Sequence, residues 1–141
     1  MVAPALGEVW YSSLGPVLGH EQDGDRPALV LSATAINQAL TGMAVIVPIT
    51  SRFKDRDTAV LVMPPEGGLR VPSYILCDQI RAVSLKRLDR RLGAIERPTL
   101  DQVHLVIHAL FALRCPPPEN ALDTRWIRSP RIRPRPPGAR R

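Results

Sequence analysis

Arg26 is the first residue that invites a chemical reading. It stands just before Pro27 and the apolar run at 28–31. Proline has no backbone N–H and suits the first residue of a strand, so the guanidinium is expected at the mouth of a strand. Upstream, on a polar stretch holding Gly19 and Gly24, stand His20 and Glu21. Thr50 ends a second apolar run and offers a hydroxyl. A guanidinium fork stays charged and matches phosphate oxygens. A hydroxyl can bond another phosphate oxygen, and an imidazole or carboxylate is a better proton acceptor than a guanidinium. Together these groups could hold a phosphate and move a proton beside it. The same residues also read as a strand preceded by a charged turn, with Thr50 satisfying its own backbone at a strand end. His104 and His108, four apart, could in principle hold a metal. Leu105 stands where a zinc-protease motif has glutamate, and no third ligand is evident. They read instead as partly buried helix residues.

Short elements must position these groups. Residues 8–11 read as a first strand, with Val9 and Tyr11 on one face and Trp10 on the other. A long loop at 12–25 follows. The run at 28–31 is short and unbroken, as expected of a strand buried on both faces. Ile36 and Leu40 have helical spacing, and Thr41-Gly42 turns the chain. Further strands are expected at 43–49, 58–62, 73–76 and 79–83, the last two separated by an interruption near Asp78. A single turn at 84–88 and a last strand at 91–95 follow. Pro98-Thr99 opens one long helix. Thr99 is read as its N-cap, with Gln102 completing a capping box. Leu100, Val103, Ile107, Leu110 and Phe111 supply its apolar stripe, which runs on to Leu113. The Pro-rich stretch from Cys115 ends it. Many short strands and one terminal helix argue for a mainly β, strongly curved antiparallel barrel with a helix packed on it.

The 141 residues suggest one domain, large enough for a core without disulfides. Cys77 and Cys115 match no metal spacing, and reduced thiols in a cytoplasmic protein are expected. No apolar run is long enough to span a membrane. The N-terminus lacks the basic and apolar regions of a secretory signal. The net charge of +6 is uneven. Up to residue 124 there are 12 Lys and Arg against 13 Asp and Glu, a net of −1; residues 125–141 hold seven arginines and no acid, a net of +7. Any nucleic-acid footprint must therefore be local in the body or lie in the tail. Residues 115–141 are too rich in Pro and Arg to bury a core and are expected to be disordered. The domain division is thus 1–114 and 115–141.

Three blocks in register resemble the PemK/MazF family of toxin endoribonucleases. The first comprises Gly-Glu-Val-Trp-Tyr at 7–11, Gly-Pro at 15–16, Gly-His-Glu-Gln at 19–22 and Arg-Pro-Ala-Leu-Val-Leu-Ser at 26–32. The second is Val-Pro-Ile-Thr-Ser-Arg at 47–52, and the third Leu-Cys-Asp-Gln-Ile-Arg at 76–81. The match runs from about residue 7 to 114 and leaves out the tail. The resemblance implies an SH3-like barrel, a homodimer and a protein antitoxin as partner. It also implies cleavage of single-stranded RNA without a metal or other cofactor. The RNA's own 2′-OH attacks the adjacent phosphate and leaves a cyclic phosphate and a free 5′-hydroxyl.

On this resemblance Arg26 and Thr50 are the catalytic pair, and Glu21 matches a family glutamate linked to activity. The identity of the base stays open between Glu21, His20 and the arginine itself. Candidate RNA contacts are His20, Gln22, Ser51, Arg52, Asp78 and Gln79 from the motif blocks. Phe53 and Lys54 join them, because an aromatic among cations can stack a base and hold its backbone. Asp78 and Gln79 serve equally well to fix a turn. A non-enzymatic toxin on the same fold that binds DNA gyrase is the alternative function. A basic RNA-binding module is disfavoured by the near-neutral body.

Overall fold

A computed structural model describes residues 3–15, 24–39, 42–52 and 55–112. Among them are seven strands: β1 (Glu8–Ser13), β2 (Asp25–Val30), β3 (Met43–Thr50), β4 (Ala59–Val62), β5 (Ser73–Leu76), β6 (Arg81–Ser84) and β7 (Leu88–Ala94). A short helix α1 (Thr34–Ala39) follows β2, and α2 (Arg97–Leu110) closes the described chain. Single helical turns stand at Glu66–Gly68, Cys77–Gln79 and Leu85–Arg87. Every pairing is antiparallel, in the order β4-β5-β3-β2-β1-β7, with β6 also on β3. The mainly β antiparallel architecture with a C-terminal helix is as expected. No helix among the described residues is long and apolar enough to cross a membrane.

The two apolar runs became the central strands. Ala28 and Val30 face one core cluster with Leu14, Ile46, Val83 and Leu88; Leu29 faces another with Val9, Val47, Ile49 and Ile75. Burial on both faces explains why neither run alternates with polar residues. β3 changes partner along its length. Its first half pairs with β6 as far as Ile46 and its end pairs with β5 from Ile49. Pro48 falls between these two ladders, at a position with neither β5 nor β6 opposite, so the missing N–H breaks no pairing there.

Several boundaries moved. β1 runs on through Ser12 and Ser13, and β2 starts at Asp25, so Pro27 is an interior residue opposite Tyr11. In α1 the buried residue is Asn37, 2% exposed, whereas Ile36 is half exposed. Asn37 Nδ2 donates to the carbonyls of Pro4 and Ser32, and its Oδ1 accepts from Ser32 Oγ. Leu40 lies outside the described residues. Helix α2 is capped at Glu96 rather than Thr99, without a side-chain cap bond. Pro98 explains the shift: it belongs inside the first turn, where a missing N–H costs nothing. Val103 and Val106 are buried and Ile107 packs against them, but Leu110 and Phe111 remain exposed. The last turn of the stripe therefore runs past the core it was expected to cover. His104 is exposed and His108 half-buried. Leu113 and the tail at 115–141 lie outside the described residues.

Candidate active site

β2 and β3 run side by side, so the start of β2 and the end of β3 meet at one edge of the fold. A cleft of about 700 Å³ opens there. Arg26 and Pro27 enter it from β2, Thr50 from β3, and Ser51 and Arg52 from the turn beyond. Two catalytic candidates far apart in sequence thus share one cavity. Ser12 Oγ donates to the Arg26 carbonyl at 2.8 Å and pins the backbone that carries the guanidinium. That guanidinium lies against Gly24, where an added Cβ would stand 3.9 Å from Nη2.

Thr50 is 6% exposed, a buried hydroxyl at the end of β3. At this end β3 is paired to β5, with Thr50 opposite Tyr74, and its pairing to β2 stops two residues earlier at Pro48. The Arg52 N–H donates to Thr50 Oγ1 at 3.2 Å. A hydroxyl can accept that bond and still donate its own proton. The turn therefore fixes the oxygen and leaves the O–H available to an acceptor in the cleft.

The local charge that the neutral body had to conceal lies here. Arg26, Arg52, Arg70, Arg90 and Arg91 line the cleft, and Asp25 is the carboxylate among its described lining residues. A cleft lined by one sign of charge concentrates its field and draws in the opposite sign. Arg91 is partly engaged: its Nε–H donates to Glu8 Oε1 at 3.0 Å. Glu8 also accepts from Ala5 N–H and Trp10 Nε1–H. Burial works against ionisation of Glu8, but these three donors and the Arg91 charge outweigh it and hold the carboxyl below its ordinary value. Arg90 lies over the Tyr11 ring, 4.8 Å from its centroid.

Asp78 and Gln79 do not line this cleft. Asp78 pairs with Arg56 at 3.0 Å, within the turn that interrupts β5 and β6. Burial, with the Asp78 charge beside it, pushes the neighbouring Cys77 thiol up to about 12, so it is protonated and unreactive at neutral pH. His20, Glu21, Gln22, Phe53 and Lys54 lie outside the described residues. Among those described, no group of three or more His, Cys, Asp or Glu gathers as a metal site.

Arg70, Arg90, Arg91 and Tyr11 were missed as site residues. Arg70 follows the Gly67-Gly68 turn, and Arg90-Arg91 is a doublet in a short strand. The doublet was a usable signal as a local concentration of positive charge: both side chains stay exposed and both line the cleft. Not every arginine serves the cleft. Arg87 Nη1 donates to the carbonyl of Gly15 at 2.8 Å, and Arg81 Nη1 more loosely to that of Leu14 at 3.4 Å. Both bind the backbone that follows β1.

Comparison with known proteins bears on this geometry. Residues 5–111 match the family described as PemK-like, MazF-like toxin of type II toxin-antitoxin system. The chain is 36% identical over 99 residues to endoribonuclease PemK of Escherichia coli, covering 69% of this chain and 74% of that protein. Among solved structures it is similar to MazF from Deinococcus radiodurans, with a TM-score of 0.71 and 31% identity over 79% of this chain and 98% of that one. A MazE-MazF structure from the same organism matches with a TM-score of 0.65 and 31% identity, covering 79% and 97%.

Proposed function

The chain belongs to the PemK-like, MazF-like toxin family of type II toxin–antitoxin systems, and from that premise we propose that it is an endoribonuclease toxin cutting single-stranded RNA. The observation that carries the reading is the meeting of Arg26 with Thr50 and Arg52 in one cationic cleft. The RNA 2′-oxygen loses its proton to a base and attacks the adjacent phosphorus. The bond from phosphorus to the 5′-oxygen breaks, and that oxygen takes up a proton. The products are a 2′,3′-cyclic phosphate and a 5′-hydroxyl.

Each described residue has a task that needs no metal. Arg26 holds the non-bridging oxygens as charge builds on them, the kind of placed donor that typically lowers a barrier most. Thr50 donates its O–H to a phosphate oxygen, oriented by the Arg52 N–H. Arg52 and Arg70 bind the flanking phosphates. For the base, Glu21 is the candidate that the family motif offers, with His20 and Arg26 as alternatives.

An antitoxin protein is the proposed partner, on the strength of the similar MazE-MazF structure. The path of the sheet ends on β4 and β7. The β4 edge leaves Leu61 and, just beyond it, Met63 about half exposed, a surface suited to an added segment or a second copy of the chain. A cytoplasmic homodimer is proposed on the family pattern.

The test is to incubate pure protein with RNA in chelator and map both new ends. Cyclic phosphate and 5′-hydroxyl ends at a repeated sequence support the reading. Intact RNA, or cutting that needs added magnesium, overturns it, and intact RNA in growth-arresting cells points to a toxin that acts by protein contact.

A further inference from the structure

We propose that Arg90 and Tyr11 form a base-stacking subsite of the cleft, a proposal that rests on the ribonuclease reading above. Tyr11 is the middle residue of a row across three strands. Its partner in β2 is Pro27, the neighbour of Arg26, and its partner in β7 is Arg90. Two strand spacings separate β2 from β7, about 10 Å. A nucleotide whose phosphate sits at Arg26 can therefore place its own base, or the next, over Arg90.

The guanidinium is prepared for this. It lies 4.8 Å from the Tyr11 centroid, within the range in which a cation and a ring attract. The ring backs the guanidinium on one side, while the side chain is 65% exposed and lines the cleft. The other face is thus open to a flat ligand. Its acidic neighbour Asp89 is 3.7 Å away and 69% exposed, a surface pair that contributes little and does not hold the group elsewhere. A phosphate-binding arginine needs no ring beneath it. An arginine held over a tyrosine ring is suited to stacking, since bases stack on guanidinium planes in single-stranded RNA recognition. The subsite senses the presence and size of one base beside the reacting phosphate, whereas the remaining arginines sense charge.

The probe is an RNA carrying a 2′-deoxy sugar at the mapped cleavage point, with one nucleotide at a time made abasic. Binding is measured for wild type, Arg90→Lys and Tyr11→Phe. In wild type one abasic position should weaken binding about tenfold through lost stacking. Arg90→Lys keeps the charge but not the plane, so the penalty at that position alone should vanish. Tyr11→Phe keeps the ring and should keep the penalty. An unchanged penalty in Arg90→Lys, or weakening spread evenly over all positions, overturns the stacking role while leaving the ribonuclease intact. Wild-type protein that neither binds nor cuts RNA removes both readings together.

Discussion

Two clefts share a wall and differ in charge. The first holds five arginines and Asp25. The second, about 580 Å³, lies across the contact between Gly68 and Gly93 and is lined by Met63, Pro64, Glu66, Arg91 and Glu96 among others. Gly68 and Arg91 belong to both. The wall is thin because the two backbones touch. An added Cβ on Gly68 would stand 2.1 Å from the Leu92 carbonyl oxygen, and one on Gly93 2.6 Å from Gly68 N. Gly68 also has φ +71, which favours glycine. In the second cleft Glu66 accepts from the Glu96 N–H at 2.8 Å, so a carboxylate is built into its floor. Cavity size alone would not choose between the clefts. Charge does: a polyanion drawn into the first is repelled at the second, and the Gly68–Gly93 crossing is where an RNA path should stop.

The largest expected effect breaks the first cleft's chemistry. Arg26→Ala and Thr50→Val should each lower the cleavage rate by about 10²–10³. Arg26→Ala should leave the melting temperature nearly unchanged, because the side chain is part-exposed. Thr50→Val fills the same buried volume but loses the hydroxyl. Wild-type rates in both variants would remove these residues from the mechanism.

Next comes the shared wall. Gly93→Ala should cost about 3 kcal/mol by forcing the two backbones apart, read as a lower urea midpoint. An unchanged midpoint would mean that the wall yields easily and does not divide the clefts.

Residues 125–141 are a second concentration of positive charge in the sequence. Removing residues 125–141 takes away seven arginines. The logarithmic salt slope of single-strand binding should flatten by up to about 5, with the cleavage sequence unchanged. Equal slopes with and without the tail would show that it does not touch RNA. On the same measurement Arg52→Ala and Arg70→Ala should each flatten the slope by about 0.7, whereas Glu96→Gln should not alter it. A changed slope in Glu96→Gln would extend the RNA path into the second cleft.

The smallest effect concerns Glu8, which ties β1 to Arg91. Its folded carboxyl is held below the ordinary value of 4.5. The stabilisation is therefore complete above that pH and fades as pH falls through the lower folded value. The gap in melting temperature between wild type and Glu8→Gln should close on acidification, and a gap that widens would contradict the sign.

Much of the frame was legible because it was local. The runs at 28–31 and 43–49 carry their own burial pattern, and the interruption near Asp78 is where the chain makes its single helical turn. The errors also have local causes. The Thr99 cap was drawn from a capping motif that competed with Pro98, and proline decided it. Ile36 outranked Asn37 on hydropathy, yet the three hydrogen bonds of Asn37 justify its burial. The cationic wall could not be read from the sequence in the same way. Arg70 and Arg90 reach Arg26 only through the Gly68–Gly93 contact and the β1–β7 register, both of which depend on the closed sheet.

Cys77 has a use that follows from its burial. Its N–H is bonded to the Thr58 carbonyl, and its side chain packs with Val60 and Val106 in the larger core. A thiol protonated at neutral pH and closed to solvent reacts with an alkylating reagent only when the surrounding structure opens. In a Cys115→Ser background Cys77 becomes a clock for that opening. The labelling rate then reports how often the contact between α2 and the β4–β5 hairpin lets go, in the native protein, without denaturant.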